Sequence, residues 1–358
     1  MKMIFLGLVF LKTATGMAQD STGSGPLKFS VYVEAYHSYD FNKPVNNDRP
    51  PFFYSHNRHN EFNLNLGYLK GSYQADRVRV NLALAAGTYM NANYAAEPGV
   101  LKNIFEANAG IRISKKKNLW IDAGIFASHI GFESAVSKDC WTLTRSILAD
   151  NSPYFESGAK ITCTSNDNKW LVSGLLLNGW QRIKRVEGNS AMSYGTQLQY
   201  KPNATILLNY SNFLGTDKPD STRQWRCFHN LYGIFNVSGK VGITAGVDIG
   251  SEQKKKGSSQ MNTWYSPVLI LKYAINGKWA IAARGEYYSD RNGVIIASGT
   301  PNGFQTSAFS FNIDYAPVNN ALIRLEARTL KSKDYVFARG NEFVNHNAFI
   351  TSSIVVSF

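Results

Sequence analysis

The sequence predicts an all-β fold: a single closed antiparallel transmembrane β-barrel of about sixteen strands, with short periplasmic turns at one end and long extracellular loops at the other. Three observations predict it. Period-two alternation of apolar and polar residues recurs along the whole chain and is punctuated by turn chemistry. Tight turns and longer polar loops alternate between the repeats, the outer-membrane pattern. The chain has no apolar stretch of the roughly 18 residues that a spanning helix needs, and a mean hydropathy of −0.24 is too polar for a helical membrane protein.

Positions 321–330 show the alternation. Ala321, Ile323, Leu325 and Ala327 fall on one face; Arg324, Glu326 and Arg328 fall on the other. Three charges on one face of a strand need water. In a soluble sandwich that face is the outer surface, whereas in a membrane barrel it lines the lumen and the apolar face meets lipid. Alternation alone does not choose between the two, but strand count and connections do.

In order, the strands fall near 27–41, 60–74, 77–91, 103–113, 119–131, 155–164, 170–181, 192–201, 204–215, 226–238, 240–252, 263–275, 279–291, 304–317, 321–334 and 344–358. Tight turns lie at Ala75 and Asp76, at 115–118 and 166–169, at Pro202 and Asn203, at Ser238 and Gly239, and at 276–278 and 318–320. An even count starting on the short-turn side puts both termini in the periplasm.

Aromatic residues follow the same division. Trp120, Trp170, Trp279 and Tyr315 lie next to short turns, and Tyr89, Trp180, Tyr210, Tyr287 and Tyr288 lie near long loops. These are expected to form two interfacial girdles. At the carboxy terminus, Ile354, Val356 and Phe358 share the lipid face. An ending of this kind resembles an outer-membrane assembly signal, with Phe358 as the residue that barrel assembly machinery reads.

The amino terminus reads as a secretory signal. Lys2 precedes an apolar run over 3–11 that Lys12 interrupts, and small residues stand at Gly16 and Ala18. The run is far shorter than the ~20 residues of a membrane-spanning helix. The expected organisation is a cleaved signal peptide at 1–18, a short periplasmic segment at 19–26 and the barrel at 27–358, exported to the cell outer membrane and surrounded by its lipid.

Other functional classes find less support. A formal charge of +13 would suit a nucleic-acid partner, but it sits largely in turns and loops such as 115–117 and 254–256, which read as solvated ends. Cys140, Cys163 and Cys227 are odd in number and show no CxxC spacing, so no zinc site or disulfide framework is written; at most one pair could bridge. His56 and His59 share a loop, while His37, His129, His229 and His346 are scattered. No metal and no cofactor is expected.

The rival from another class is an outer-membrane barrel enzyme of lipase or acyl-transferase type, for which Ser128 and His129 would be the tempting pair. Neighbours on a strand point to opposite faces and cannot act as nucleophile and base, and no G-x-S-x-G elbow is present. Glu106 and Glu326 could be imagined as an acid/base couple, yet lumen carboxylates are routinely solvated. A secreted β-sandwich adhesin is the third reading; solubility without detergent would favour it.

A family resemblance is carried by 120–161, which reads WIDAGIFASHIGFES and, after a gap, SPYFESGAKI. Gly124, Phe126, Ser128, Gly131 and Glu133, followed by Pro153, Tyr154 and Gly158, match a G-x-F-x-S-x-x-G-x-E stretch and a P-Y-x-x-x-G element. The segment resembles the OmpL-like β-barrel porin family common in Bacteroidetes. The resemblance is sharp over this segment, with barrel texture elsewhere, and it implies a porin-like channel for passive diffusion of small hydrophilic solutes.

The same segment contains the longest internal loop, 132–154, which joins the fifth and sixth strands; loops of this length tend to be functional. It carries Glu133, Lys138, Asp139, Arg145 and Asp150, with Trp141, Ile147 and Leu148 as apolar anchors. It is expected either to fold into the lumen as a constriction or to lie on the outer surface. If it folds inward, Arg145 should face a wall carboxylate, with Glu106, Asp122 and Glu326 as candidates, because a confined guanidinium needs a charge partner or water.

The candidate lumen wall follows from parity: Arg79, Arg112, Lys160, Arg284, Arg324 and Arg328 against Glu106, Asp122, Asp248, Glu286, Asp314 and Glu326. The two sets nearly cancel. Opposite charges across a lumen make a transverse field that favours hydrated, dipolar solutes.

Overall fold

Alternating residues with turns at regular spacing can satisfy every backbone group by closing the sheet on itself, and the chain does so. The computed structural model describes residues 26–358; the expected signal peptide at 1–18 and the expected periplasmic segment up to residue 25 lie outside the described residues. The wall consists of β1 (Leu27–Asp40), β2 (Phe62–Gln74), β3 (Val78–Ala86), β4 (Ile104–Arg112), β5 (Asn118–Ala127), β6 (Phe155–Thr164), β7 (Trp170–Leu177), β8 (Ser193–Asn203), β9 (Ile206–Gly215), β10 (Arg226–Asn236), β11 (Val241–Gln253), β12 (Met261–Ala274), β13 (Trp279–Asp290), β14 (Phe304–Val318), β15 (Ala321–Ser332) and β18 (His346–Ser357). A small hairpin, β16 (Phe337–Arg339) and β17 (Glu342–Val344), occupies the last long loop.

Each wall strand pairs antiparallel with its neighbours, and β18 closes the barrel between β15 and β1. Register at the seam runs from Tyr32 opposite Ser357 to Asp40 opposite Phe349. Phe358 continues it, its N–H donating to the Val31 carbonyl at 3.0 Å while its ring stays exposed on the outer face.

All sixteen expected strands are present, most within two residues of the expected bounds, though three stop four or five residues earlier than the alternation suggests. β3 stops at Ala86 and gives way to α1 (Thr88–Asn93), β5 stops at Ala127, and β7 stops at Leu177. Each shortened strand leads into a segment with buried residues, such as Tyr89, Ile130 and Asn189. The motif glycines have a local cause. Gly124 and Gly158 are register partners with φ of 125° and 157°. A Cβ would stand 2.2 Å from the Ala107 carbonyl oxygen at the first and 2.0 Å from that of Leu176 at the second, so only glycine fits.

Parity assigns the faces correctly. On β15, Ile323 and Leu325 are exposed outward, and Arg324, Glu326 and Arg328 point inward. The inward charges are not bathed in water, however. All three are at most 3 % exposed, because long loops fill the interior. At the long-loop end, Phe52 and Phe53 (loop 41–61), Ile147, Ile296 and Phe337 pack on the wall residues Phe213, Phe228, Trp264, Phe304 and Phe349. Burial of side chains of this size stabilises by roughly 1.5–3 kcal/mol each.

The girdles form in part. Trp170 stacks on Tyr200 and Trp279 on Tyr315, at 4.1 and 4.4 Å between centroids, on the outer face at the short-turn end. Tyr210 and Tyr287 face outward at the other end, the latter beside Tyr265. Trp120, Tyr89, Trp180 and Tyr288 depart from the expectation. Trp120 points inward over Arg79, and the other three lie inside the barrel. Closeness to an interface places a residue in height; strand parity or a folded-in loop decides which side it faces.

A closed wall pairs every strand, so the folded protein should migrate differently in unboiled and boiled detergent gels. Identical migration would contradict closure.

Candidate functional site

Residues 128–154 leave β5 and return at β6, where Ala127 and Phe155 are register partners. Between those paired ends the segment crosses the barrel interior. The His129 carbonyl accepts from Ser211 Oγ on β9, and Gly131 N donates to Asn230 Oδ1 on β10. Phe132 lies against Tyr232 and Trp141 against Gly242 on β11. Ser137 Oγ is 3.0 Å from Tyr32 Oη on β1, diametrically opposite β9 in the strand order. Leu148 and Ala149 pack on Val268 and Ile270 of β12.

Side chains of β13–β15 hold the middle of the segment. Leu143 N donates to Asn312 Oδ1 (3.0 Å), Thr144 N to Glu326 Oε2 (2.6 Å) and Ile147 N to Glu286 Oε2 (2.6 Å). Three wall arginines donate to its carbonyls in return: Arg284 Nη1 to Thr144 O (2.6 Å), Arg324 to Ser137 O and Cys140 O (2.5 and 3.1 Å), and Arg328 to Arg145 O (2.8 Å). Each is anchored to carboxylates on the wall. Arg284 pairs with Glu286 and Glu326 at 3.1 and 3.0 Å, Arg324 with Asp314 at 2.7 Å, and Arg328 with Glu286 at 2.5 Å.

Arg145 departs from expectation. It is buried, but its guanidinium donates to the carbonyls of Ser134, Leu143 and Ala135 within its own segment rather than to a wall carboxylate. Its role is to fold the segment. The candidate partners are engaged elsewhere: Glu106 with Lys70, Asp122 with Arg79, and Glu326 with Arg284. The same segment places Glu133 on Ser146 and 3.7 Å from Arg284. Lys138, half-buried, sits beside the exposed Asp139, and Asp150 accepts from Tyr154 Oη at 3.1 Å. Short helix α2 (Ile147–Asp150) begins on Ser146, whose Oγ caps Ala149 N.

The remaining wall candidates face inward as parity requires. Asp248 accepts from Asn230 Nδ2, and Lys160 lies over the Phe126 ring. Arg112 lies at the short-turn rim against Asp76. Most of these charges are therefore neutralised side by side along the wall rather than across an open lumen, Asp248 and Lys160 being held by an amide and a ring instead. Tyr32, Lys70, Thr142, Thr144 and Asn312 escaped the sequence reading as site residues; alternation marks the strand members as inward but gives no signal of their partners in a distant loop.

Ser128 and His129 lie just beyond β5 and serve separate ends. Ser128 Oγ accepts from Ile130 N, while His129 is held between Glu156 and the Asn212 carbonyl, both at 2.8 Å. Cys140, Cys163 and Cys227 are free. Among the described residues, no group of three His, Cys, Asp or Glu side chains is arranged to hold a metal ion.

Comparison with known proteins places the chain. Residues 26–358 match the family described as "Putative beta-barrel porin-2, OmpL-like". No curated protein sequence matches it significantly. Similar solved structures include an anion-selective porin from Comamonas acidovorans (TM-score 0.60, 10 % identity, covering 93 % of this chain and 99 % of that one). OmpT from the outer membrane of Vibrio cholerae superposes with a TM-score of 0.61 at 8 % identity over 95 % and 100 % of the two chains. The outer-membrane channel DcaP of Acinetobacter baumannii gives 0.60 at 10 % identity over 96 % and 100 %. At such identities the likeness is one of fold.

Burial pushes the Asp150 carboxyl up from 3.8 to about 7, against the opposing pull of Arg145 and Arg328. A folded-state value above the unfolded one means that the contribution to stability is full below pH 3.8 and is lost as pH rises towards about 7. Protease protection of the segment should fall over that window, and Asp150→Asn should flatten the profile. Protection that rises with pH, or an unchanged profile in the variant, would contradict this.

Proposed function

This chain belongs to the OmpL-like β-barrel porin family and is a porin-like channel of outer-membrane type, and from that premise we propose that it passes small hydrophilic solutes by passive diffusion, with segment 132–154 as the constriction. The observation that carries the reading is the set of hydrogen bonds from β13–β15 that hold the segment across the barrel interior. Current through a pore is limited by its narrowest section; in this reading the segment forms it, with Lys138 and Asp139 as its accessible charges and Glu133, Arg145 and Asp150 buried where they fold it. Of the wall candidates, Arg284, Glu286, Asp314, Arg324, Glu326 and Arg328 hold the segment in place, Glu106 and Asp122 lie on the opposite wall, and Arg112 lies at the short-turn rim.

Selectivity in this reading rests on hydration and size. Carboxylates and guanidiniums in adjacent pairs present dipoles rather than a ring of one sign, which disfavours apolar solutes more than it separates anions from cations. Arg145 acts through the fold of the segment, so Arg145→Glu should loosen the constriction rather than tune its sign. Phe358 serves as the assembly signal recognised during insertion into outer-membrane lipid.

Planar-bilayer recording of the refolded protein tests this directly. The intact chain should give small discrete steps, and deletion of 136–150 should raise the step size in protein that still shows the folded gel mobility. Unchanged conductance in folded deletion protein would remove the segment from the conducting path.

A further inference from the structure

Beneath the crossing segment, at the short-turn end, lies a cavity of about 340 Å³ between it and the ends of β8–β12. Its floor is aromatic and built for the purpose. Gly242 and Gly246 share the inward face of β11, and a Cβ on either would stand 2.6 Å from a ring, that of Trp141 in the first case and Phe132 in the second. Absent side chains on the wall let both rings lie close against it. Register then sets polar groups on either side of Trp141: Gly242 pairs with Asn236 on β10 and with Lys272 on β12. Two strand spacings, roughly 9–10 Å, separate the backbones that carry Asn236 and Lys272, with Gly242 and the indole over it between them. Lys240, in the exposed turn just before β11, also lines the cavity.

The Lys272 ammonium lies 5.8 Å from the Trp141 ring centroid. Among the described residues neither Lys272 nor Lys240 forms an ion pair, although arginines elsewhere in the barrel are paired; Glu133, Asp139 and Lys201 also line the cavity, so lysines outnumber carboxylates there three to two. A half-enclosed ammonium on an aromatic shelf, with an amide across from it, offers charge, stacking and hydrogen bonding to a single small molecule.

We propose that this cavity is a binding site for a sugar acid, one pyranose-sized ring bearing a carboxylate. The C–H face of the ring stacks on Trp141, the carboxylate meets Lys272 and Lys240, and hydroxyls reach Asn236 and Thr244. The assignment rests on the channel reading and deepens it, since a weak site below the constriction would hold a solute during passage.

Calorimetric titration of the refolded full chain in detergent with D-glucuronate, D-glucose and acetate tests the site. Glucuronate should bind weakly and at least about tenfold more tightly than either of the others, because only it uses the ring shelf and the ammonium groups together. Lys272→Met and Asn236→Ala, both on the wall and both checked for folded gel mobility, should each weaken glucuronate markedly. Acetate binding as tightly as glucuronate, glucose binding as tightly, or full affinity in Lys272→Met would overturn the proposal. Conductance of the same preparation keeps the two ideas apart: current without glucuronate binding sinks the site alone, and binding without current sinks the channel.

Discussion

Three guanidinium groups on β13 and β15 tie the barrel wall to the segment that crosses it. Each guanidinium carries five N–H donors in a fixed fork, more than carboxylate neighbours need. Arg324 spends one edge on Asp314 and the remainder on the carbonyls of Ser137 and Cys140. Arg284 divides itself among Glu286, Glu326 and Thr144. The carboxylates fix the arginine heads, and the heads supply donors to a loop backbone that has no sheet partner of its own. Buried carbonyls without donors would each cost about 1–3 kcal/mol, so this arrangement is what permits an irregular segment to sit inside the barrel.

Much else follows from that constraint. Buried charges are tolerated only when paired and hydrogen-bonded, and the wall and segment together satisfy most of them. Removing one partner of such a buried pair typically costs about 3–5 kcal/mol, which makes β13–β15 the stiff side of the lumen. The neighbouring wall, β1–β3, is softer in chemistry: Tyr32, Leu66, Tyr68 and Ala85 meet Ala135 and Val136 largely by apolar contact, with one hydrogen bond from Tyr32 to Ser137. The segment is thus pinned by polar bonds on one side and packed on the other, leaving open volume at the short-turn end beneath Trp141.

Much of the fold was legible because alternation has a period that water and lipid both enforce. Ile323 and Arg324 could be assigned to opposite faces from their order alone. The turn at Ser238 and Gly239 announced itself by composition, whereas the one expected at Pro202 and Asn203 forms at Ala204 and Thr205, because β8 runs on through Asn203 after a register shift. Less legible was anything that depended on a partner distant in the chain. Three inward charges on β15 were expected to need water, and they are buried because loop carbonyls replace it. Arg145 was expected on a wall carboxylate, yet three carbonyls of its own segment lie nearer. Trp120 and Tyr288 stand at girdle heights but on inward parity, which a criterion of height alone overlooks.

The central claim is that 142–149 is held inside the barrel by side chains of the wall, and hydrogen exchange at single amides measures this most directly. Leu143, Thr144 and Ile147 donate their N–H groups to Asn312, Glu326 and Glu286, outside any strand or, in the case of Ile147, at the first turn of a short helix. Their exchange should be as slow as that of wall amides on β14 and β15, and Glu326→Gln should speed Thr144 more than Ile147. Exchange of all three as fast as that of the exposed turn at 115–117 would contradict the account, because it would place the segment in water outside the lumen.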